Sequence, residues 1–159
     1  MLIHPFSPVF DEKSEILILG SFPSAKSREE GFYYGHPRNR FWKVLAGIKG
    51  EPIPRTAEEK REFLLSNRIA VWDVIGSCEI EGSSDMSIRN ALPNDIEVIL
   101  RVAQIRAIFV NGKTAQRYYN RFLLPATGSE ATYLPSTSPA NAAWSDEALV
   151  REWKRLTGI

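Results

Sequence analysis

EILILG, residues 15–20, is a short apolar run closed by a glycine, the pattern of a strand that enters a turn. RIAVWDVIG (68–76) and RAIFVNG (106–112) repeat the form, and ATYLPS (131–136) is a weaker fourth case. Near-continuous apolar strands are buried on both faces, as in parallel sheets. Helical stretches lie between and after them. NRFWKVLAG (39–47) starts at a capping-type asparagine and ends at glycine. TAEEKREFLLSN (56–67) opens on Thr56. PNDIEVILRVAQ (93–104) follows a proline, and GKTAQRYYNRFLL (112–124) follows a glycine. SDEALVREWKRLTG (145–158) has Ser145 as N-cap and acids in its first turn. This alternation predicts one α/β domain over residues 1–159. Its expected architecture is three layers, α/β/α, around a central four-stranded parallel sheet. Ligands of such sheets sit beyond the carboxyl ends of the strands. Those ends carry GSFPS, WDVIGS, NGKT and PSTSPAN, so the site is expected there.

Composition narrows the class. With 43% hydrophobic and 11% aromatic residues in 159, the chain can bury a core. A single cysteine, Cys78, excludes an intramolecular disulfide, a four-cysteine zinc site and a cysteine-ligated iron–sulfur cluster, and fits a reducing compartment. The first residues lack the pattern of a signal peptide, and no run approaches the roughly 18 apolar residues of a membrane span. A cytoplasmic monomer without metal or cofactor is the expectation. Net charge is only +1, but residues 98–129 contain no acid while holding Arg101, Arg106, Lys113, Arg117 and Arg121. A second basic group is Lys26, Arg28, Arg38, Arg40 and Lys43. If the two converge they form a phosphate-binding face; otherwise they are solvated helix faces.

GSFPSAKS (20–27) fails as a triphosphate loop. Ala25 stands where a Walker pattern needs glycine, and Pro23 removes an N–H from a cradle that works through N–H groups. YYGHPRNRFW (33–42) mixes aromatic rings, arginines, a histidine and an asparagine. That mixture suits a nucleotide or nucleic acid, and it also suits a helix start with core aromatics.

The stretch GSFPSAKSREEGFYYGHPRNRFWKVL resembles the first motif of the uracil-DNA glycosylase superfamily, most specifically in the nine positions HPRNRFWKV (36–44). LPSTSPAN (134–141) is similar to the superfamily's second motif. With SFPS and YYGHPRN, its PSTSPA form most resembles the hypoxanthine-DNA (deoxyinosine) glycosylase family. The resemblance implies a monofunctional enzyme that hydrolyses the N-glycosidic bond of deaminated bases in DNA, hypoxanthine before uracil. A uracil/thymine mismatch enzyme and a non-catalytic DNA-binding module on the same fold are the alternatives. The uracil-specific families carry an Asp or Asn at the place of Phe22, and the main one carries a histidine at the place of Leu134. With both absent, the resemblance makes Asn39 the catalytic group.

Asn39 offers one acceptor and two donors, to orient water or hold the departing base, and it would equally cap the helix. Tyr34 falls where the mismatch branch stacks a ring on the extruded base. Asp73 falls at a base-reading position and is able to accept the N1–H of hypoxanthine; alternatively it holds backbone amides. Phe22 and Asn111 complete the expected base site, Asn111 being otherwise a helix N-cap. Ser21, Ser24, His36, Arg38, Lys113, Ser136, Thr137, Ser138, Ala140 and Asn141 are the expected DNA contacts, through hydroxyls, backbone N–H groups and positive charge. The loop tip from Ser138 to Asn141 has no large apolar wedge. Phe41, Trp42 and Leu45 are expected to anchor their helix to the sheet. His4 has no partner in sequence and receives no role.

Overall fold

Val9 and Val71 exchange two backbone hydrogen bonds (3.0 and 2.9 Å), so the N-terminal arm seals one edge of the central sheet. This computed structural model describes residues 1–158. In chain order the elements are β1 (Leu2–Ile3), β2 (Ile16–Gly20), α1 (Ala25–Glu30), α2 (Phe41–Lys49), α3 (Ala57–Ser66), β3 (Ile69–Asp73), β4 (Ile75–Glu79) and β5 (Arg89–Pro93). There follow α4 (Glu97–Leu100), β6 (Ala107–Asn111), α5 (Lys113–Tyr118), α6 (Leu124–Thr127), β7 (Ala131–Leu134) and α7 (Asp146–Trp153). No helix among the described residues is long and apolar enough to cross a membrane.

The central sheet has the order β3-β2-β6-β7, and every neighbouring pair is parallel. β2 and β3 are buried at all five positions, which is why their sequences carry no polar alternation. The register aligns Gly20 with Asp73 and Asn111 with Leu134, so the strands end together along one rim. Helices on both faces complete the three layers. Phe41, Trp42 and Leu45 are 0%, 5% and 0% exposed and fix α2 to the sheet, as expected. The Trp153 indole N–H donates to Pro135 O (2.9 Å) and ties α7 to the loop after β7.

Four local expectations change. The strand expected over 68–76 stops at Asp73. There the Val74 and Ile75 N–H groups donate to Gly20 O and Ser21 O, which carries the chain across the end of β2. Ile75 then opens a second, antiparallel sheet of order β1-β4-β5, which no sequence feature announced. The helix expected over 93–104 shrinks to α4, because Pro93 is held in β5. α2 begins after Arg40, not at Asn39, and runs through Gly47, which faces Val150 of α7, to a left-handed cap at Gly50. The helix after Gly112 continues as expected, through a π-helical turn at Tyr119–Leu123. Thr56 and Ser145 cap α3 and α7 by accepting N–H bonds from Glu59 and Ala148, both 3.1 Å.

Candidate active site

A pocket of about 260 Å³ opens at the carboxyl rim of the sheet. It is smaller than the roughly 300–1,000 Å³ of drug-sized ligand sites and suits a single base. β2 supplies Gly20 and the loop Ser21–Ser24, β3 supplies Asp73, β6 supplies Asn111, and the loop after β7 supplies Ser136 to Ala140. Tyr34, His36 and Asn39 enter from the turn before α2. Of the expected contacts, Arg38, Lys113 and Asn141 stand outside the lining. Arg38 and Lys113 are exposed, and the Asn141 amide donates to Ser136 O (3.0 Å) within its own loop.

Tyr34 adopts a left-handed backbone (φ 52°), a strained turn that brings its ring into the site. The ring lies flat on Phe41, 3.9 Å between centroids and 16° between planes. Its hydroxyl is buried without a hydrogen-bond partner, and burial, then the Asp73 charge, push its pKa well above the ordinary value. Tyr33 is the core member of the pair: it is 2% exposed, donates its O–H to Ser7 O, and is raised by the same causes. Gly20 is required by close approach. A Cβ there would collide with Asp73 Oδ1 and sit 2.8 Å from the Tyr34 hydroxyl.

Asn39 is not the N-cap of α2. Its Oδ1 accepts the Phe41 N–H (2.9 Å) in a local turn, and its Nδ2 donates to nothing among the described residues. Asn111 does not cap α5 either; Gly112 holds that position. Asn111 instead exchanges two bonds with Thr137: its Nδ2 donates to Thr137 Oγ1, and its Oδ1 accepts the Thr137 N–H, both 3.1 Å. Thr137 is wholly buried, so its hydroxyl is structural. Ser136 and Ser138 hydroxyls each accept a loop N–H (3.1 Å), which leaves their protons to donate outward. Ser24 caps α1 by accepting the Ser27 N–H, 3.1 Å.

The second basic group is mostly engaged within the protein. The Arg40 guanidinium donates to Trp144 O, Asn141 O (3.0 Å) and Ser138 O (3.5 Å), holding the 138–144 loop. Arg28 donates to Pro23 O and Gly82 O, Lys26 pairs with Glu29 and Glu30, and Lys43 pairs with Asp146. In that group Arg38 alone has no ion pair or hydrogen-bonded side chain among the described residues.

Sequence reasoning missed two carboxylate relations. Asp73 holds no backbone amide; its Oδ2 lies 2.7 Å from His4 Nε2, with side chains 5% and 3% exposed. Nothing in sequence joins residues 69 apart. Asp85, in the polar segment EGSSDMS, stands on the pocket rim and accepts the Ser21 O–H (3.1 Å). The residue is solvent-exposed, yet desolvation by the surrounding protein raises its pKa against the opposing bond from Ser21.

The uracil DNA glycosylase superfamily model matches residues 7–157, spanning every one of these pocket segments. The chain belongs to the uracil DNA glycosylase superfamily. Two relatives, both described as hypoxanthine DNA glycosylases, are similar over most of their length. One from Methanosarcina acetivorans is 40% identical over 98% of each chain. One from Methanosarcina barkeri is 38% identical over 86% of each chain. The solution NMR structure of a Methanosarcina acetivorans protein, provisionally described as a uracil DNA glycosylase, superposes with a TM-score of 0.80. It is 36% identical, over 98% of this chain and 99% of that one. Within this superfamily fold, Phe22 is a buried pocket residue (7% exposed), so an apolar ring occupies the loop position expected to hold a polar group.

Proposed function

We propose that this glycosylase hydrolyses the N-glycosidic bond of deaminated bases in DNA, with hypoxanthine as its preferred base and uracil as a second. The reading is carried by Asn39: an amide donor with no protein partner, in a base-sized pocket beside a stacked ring. The names of the two hypoxanthine DNA glycosylase relatives point to the same base.

The target nucleotide leaves the stack and enters the pocket. Phe41 covers one face of Tyr34, so the other receives the base. Asp73 Oδ1 accepts the ring N–H. Deaminated bases share that feature: hypoxanthine has N1–H beside a carbonyl and uracil has N3–H between two, whereas adenine and cytosine present a lone pair. As the bond between the sugar carbon and the base nitrogen breaks, its electron pair moves onto the base. The Asn39 Nδ2 donates to the base where that charge collects. The water oxygen bonds to the sugar carbon and the water gives up one proton, which ends on the departing base, leaving a sugar hydroxyl and the neutral free base. Ser136 and Ser138 donate to phosphates, while Arg38 and Lys113 supply positive charge outside the pocket.

The test is the purified protein against oligonucleotides carrying inosine, uracil, xanthine or a G·T mismatch, with alkali to cut abasic sites. Cleavage should be fastest with inosine and should require the alkali step. Intact inosine strands under single-turnover conditions would refute the reading.

A further inference from the structure

His4 comes from the N-terminal arm, far from every motif, yet it stands directly behind Asp73, which lines the pocket. It follows β1, and its N–H donates to Gly76 O (2.8 Å). Phe6, Phe22, Tyr33 and Trp72 surround its ring at 5.6–6.4 Å, so water is kept from the His4–Asp73 contact. On the far side of the ring, Nδ1 lies 3.0 Å from Phe6 O and 3.2 Å from Phe6 N. Both a donor and an acceptor therefore wait at Nδ1. The neutral ring accepts from the Phe6 N–H, the cation donates to Phe6 O, and in either state Nε2–H remains directed at Asp73 Oδ2. Asp73 keeps its other oxygen toward the pocket over Gly20.

We propose that His4 is the positioning residue for base choice, holding Asp73 as a fixed, ionised acceptor so that only a base edge with a ring N–H is admitted. This rests on the reading that Asp73 meets the base edge. A carboxyl buried in an aromatic cage without a donor takes up a proton. The neutral acid would then donate, and adenine, with a lone pair at N1, would fit as well as hypoxanthine. The other groups that face the pair do not replace His4. The Tyr33 and Tyr34 hydroxyls stay neutral, Tyr33 is committed to Ser7 O, and Asp85 is engaged as the acceptor of the Ser21 O–H.

Two measurements test this. The first uses the unmutated protein: a long-range proton–nitrogen spectrum of the two histidines, assigned with a His36→Gln variant. A proton on His4 Nε2 at neutral pH is expected. A ring protonated only at Nδ1 would overturn the proposal, and this outcome needs no activity and no His4 variant. The second follows single-turnover inosine excision from about pH 5 to pH 8, the span of histidine titration, in the parent, His4→Leu and His4→Gln. In His4→Leu the acid limb should move to higher pH, because a carboxylate stripped of its buried donor is disfavoured, and the preference for inosine over adenine should fall. Glutamine, which donates but does not titrate, should restore both. A leucine variant slower by one constant factor at every pH would make His4 a packing residue. Asp73→Asn separates the two readings. An unchanged inosine-to-adenine ratio there removes the base-reading role of Asp73 itself, whereas a changed ratio with the wrong His4 tautomer removes only His4.

Discussion

Tyr34 lies parallel to Phe41, their centroids 3.9 Å apart, so the base-facing ring is backed by a side chain with no exposure to solvent. The stack holds the ring in position before a base arrives. Its buried hydroxyl has no partner, which makes the hydroxyl a cost to the fold and not an anchor. Tyr34→Phe should therefore fold at least as stably as the parent and excise inosine at a comparable rate. Tyr34→Ala should weaken single-turnover excision by roughly 5- to 150-fold, the equivalent of about 1–3 kcal/mol of stacking. Melting temperature and excision rate measured together would show whether the ring or the hydroxyl matters.

Asn39 separates into two functions because its two amide atoms do different things. Oδ1 completes the turn to Phe41, whereas Nδ2 is free of protein partners. Asn39→Asp keeps the turn acceptor and removes the donor; Asn39→Ala removes both. Both should lose at least about 10²-fold in single-turnover excision. Only the alanine variant should also lose stability, by about 1 kcal/mol, the worth of the turn hydrogen bond it removes. An aspartate variant with parental activity would reduce Asn39 to a turn residue.

Much of the fold was legible because doubly buried strands leave unbroken apolar runs, and ILIL of β2 and IAVW of β3 are such runs. The second sheet was not, because β4 and β5 carry mixed burial and bulged pairing, which erase a clean period. The pocket itself was largely legible, since a parallel sheet gathers its strand ends and the motif residues sat at those ends. Arg40 shows the limit. A basic residue in an aromatic motif reads as a phosphate contact, and only the folded chain reveals the loop carbonyls that surround it. His4 shows the same limit from the other side, since its partner is distant in sequence and its own neighbourhood is nondescript.

Arg40 and the exposed cations should respond to different assays. Arg38→Ala and Lys113→Ala should each lower the salt dependence of DNA binding by about one unit of slope while weakening all sequences alike. Arg40→Ala should leave that slope unchanged, because its charge faces loop carbonyls and Asp146. It should instead free the 138–144 loop and reduce excision by as much as about 10²-fold through misplacement. Amide exchange across that loop, set beside the salt titration, distinguishes the two roles.

Asp85 has a pKa raised in the folded state, chiefly by burial, so folding favours its protonated form. Its contribution to stability is complete below the ordinary carboxyl value and is lost as pH rises through the folded one. Asp85→Asn keeps an acceptor for Ser21 and cannot ionise. The variant should melt higher than the parent at neutral pH and match it near about pH 3. The gain should be small because solvent reaches the side chain. Equal melting temperatures at both pH values would show that the carboxylate carries no such cost.

Phe22 places an apolar ring where a water-orienting group would serve uracil. It is buried, lies edge-on to His4 at 5.9 Å, and has the Arg28 guanidinium 5.8 Å above its ring. Uracil departs as an anion and needs help from a positioned water. Hypoxanthine has a second route, because protonation or a hydrogen bond at N7 improves it as a leaving group. The apolar ring should therefore penalise uracil more, and the parent should process inosine faster than uracil. Phe22→Asn should raise uracil excision relative to inosine. It should also destabilise the protein by about 3 kcal/mol or more, since a packed aromatic is exchanged for a buried amide. Adding a stabilising background substitution on the exposed face of α3 would keep the variant folded without touching the pocket. The deciding quantity is the ratio of single-turnover rates on matched inosine and uracil duplexes. A folded variant with an unchanged ratio, or a parent that prefers uracil, would show that base choice is set elsewhere than at Phe22.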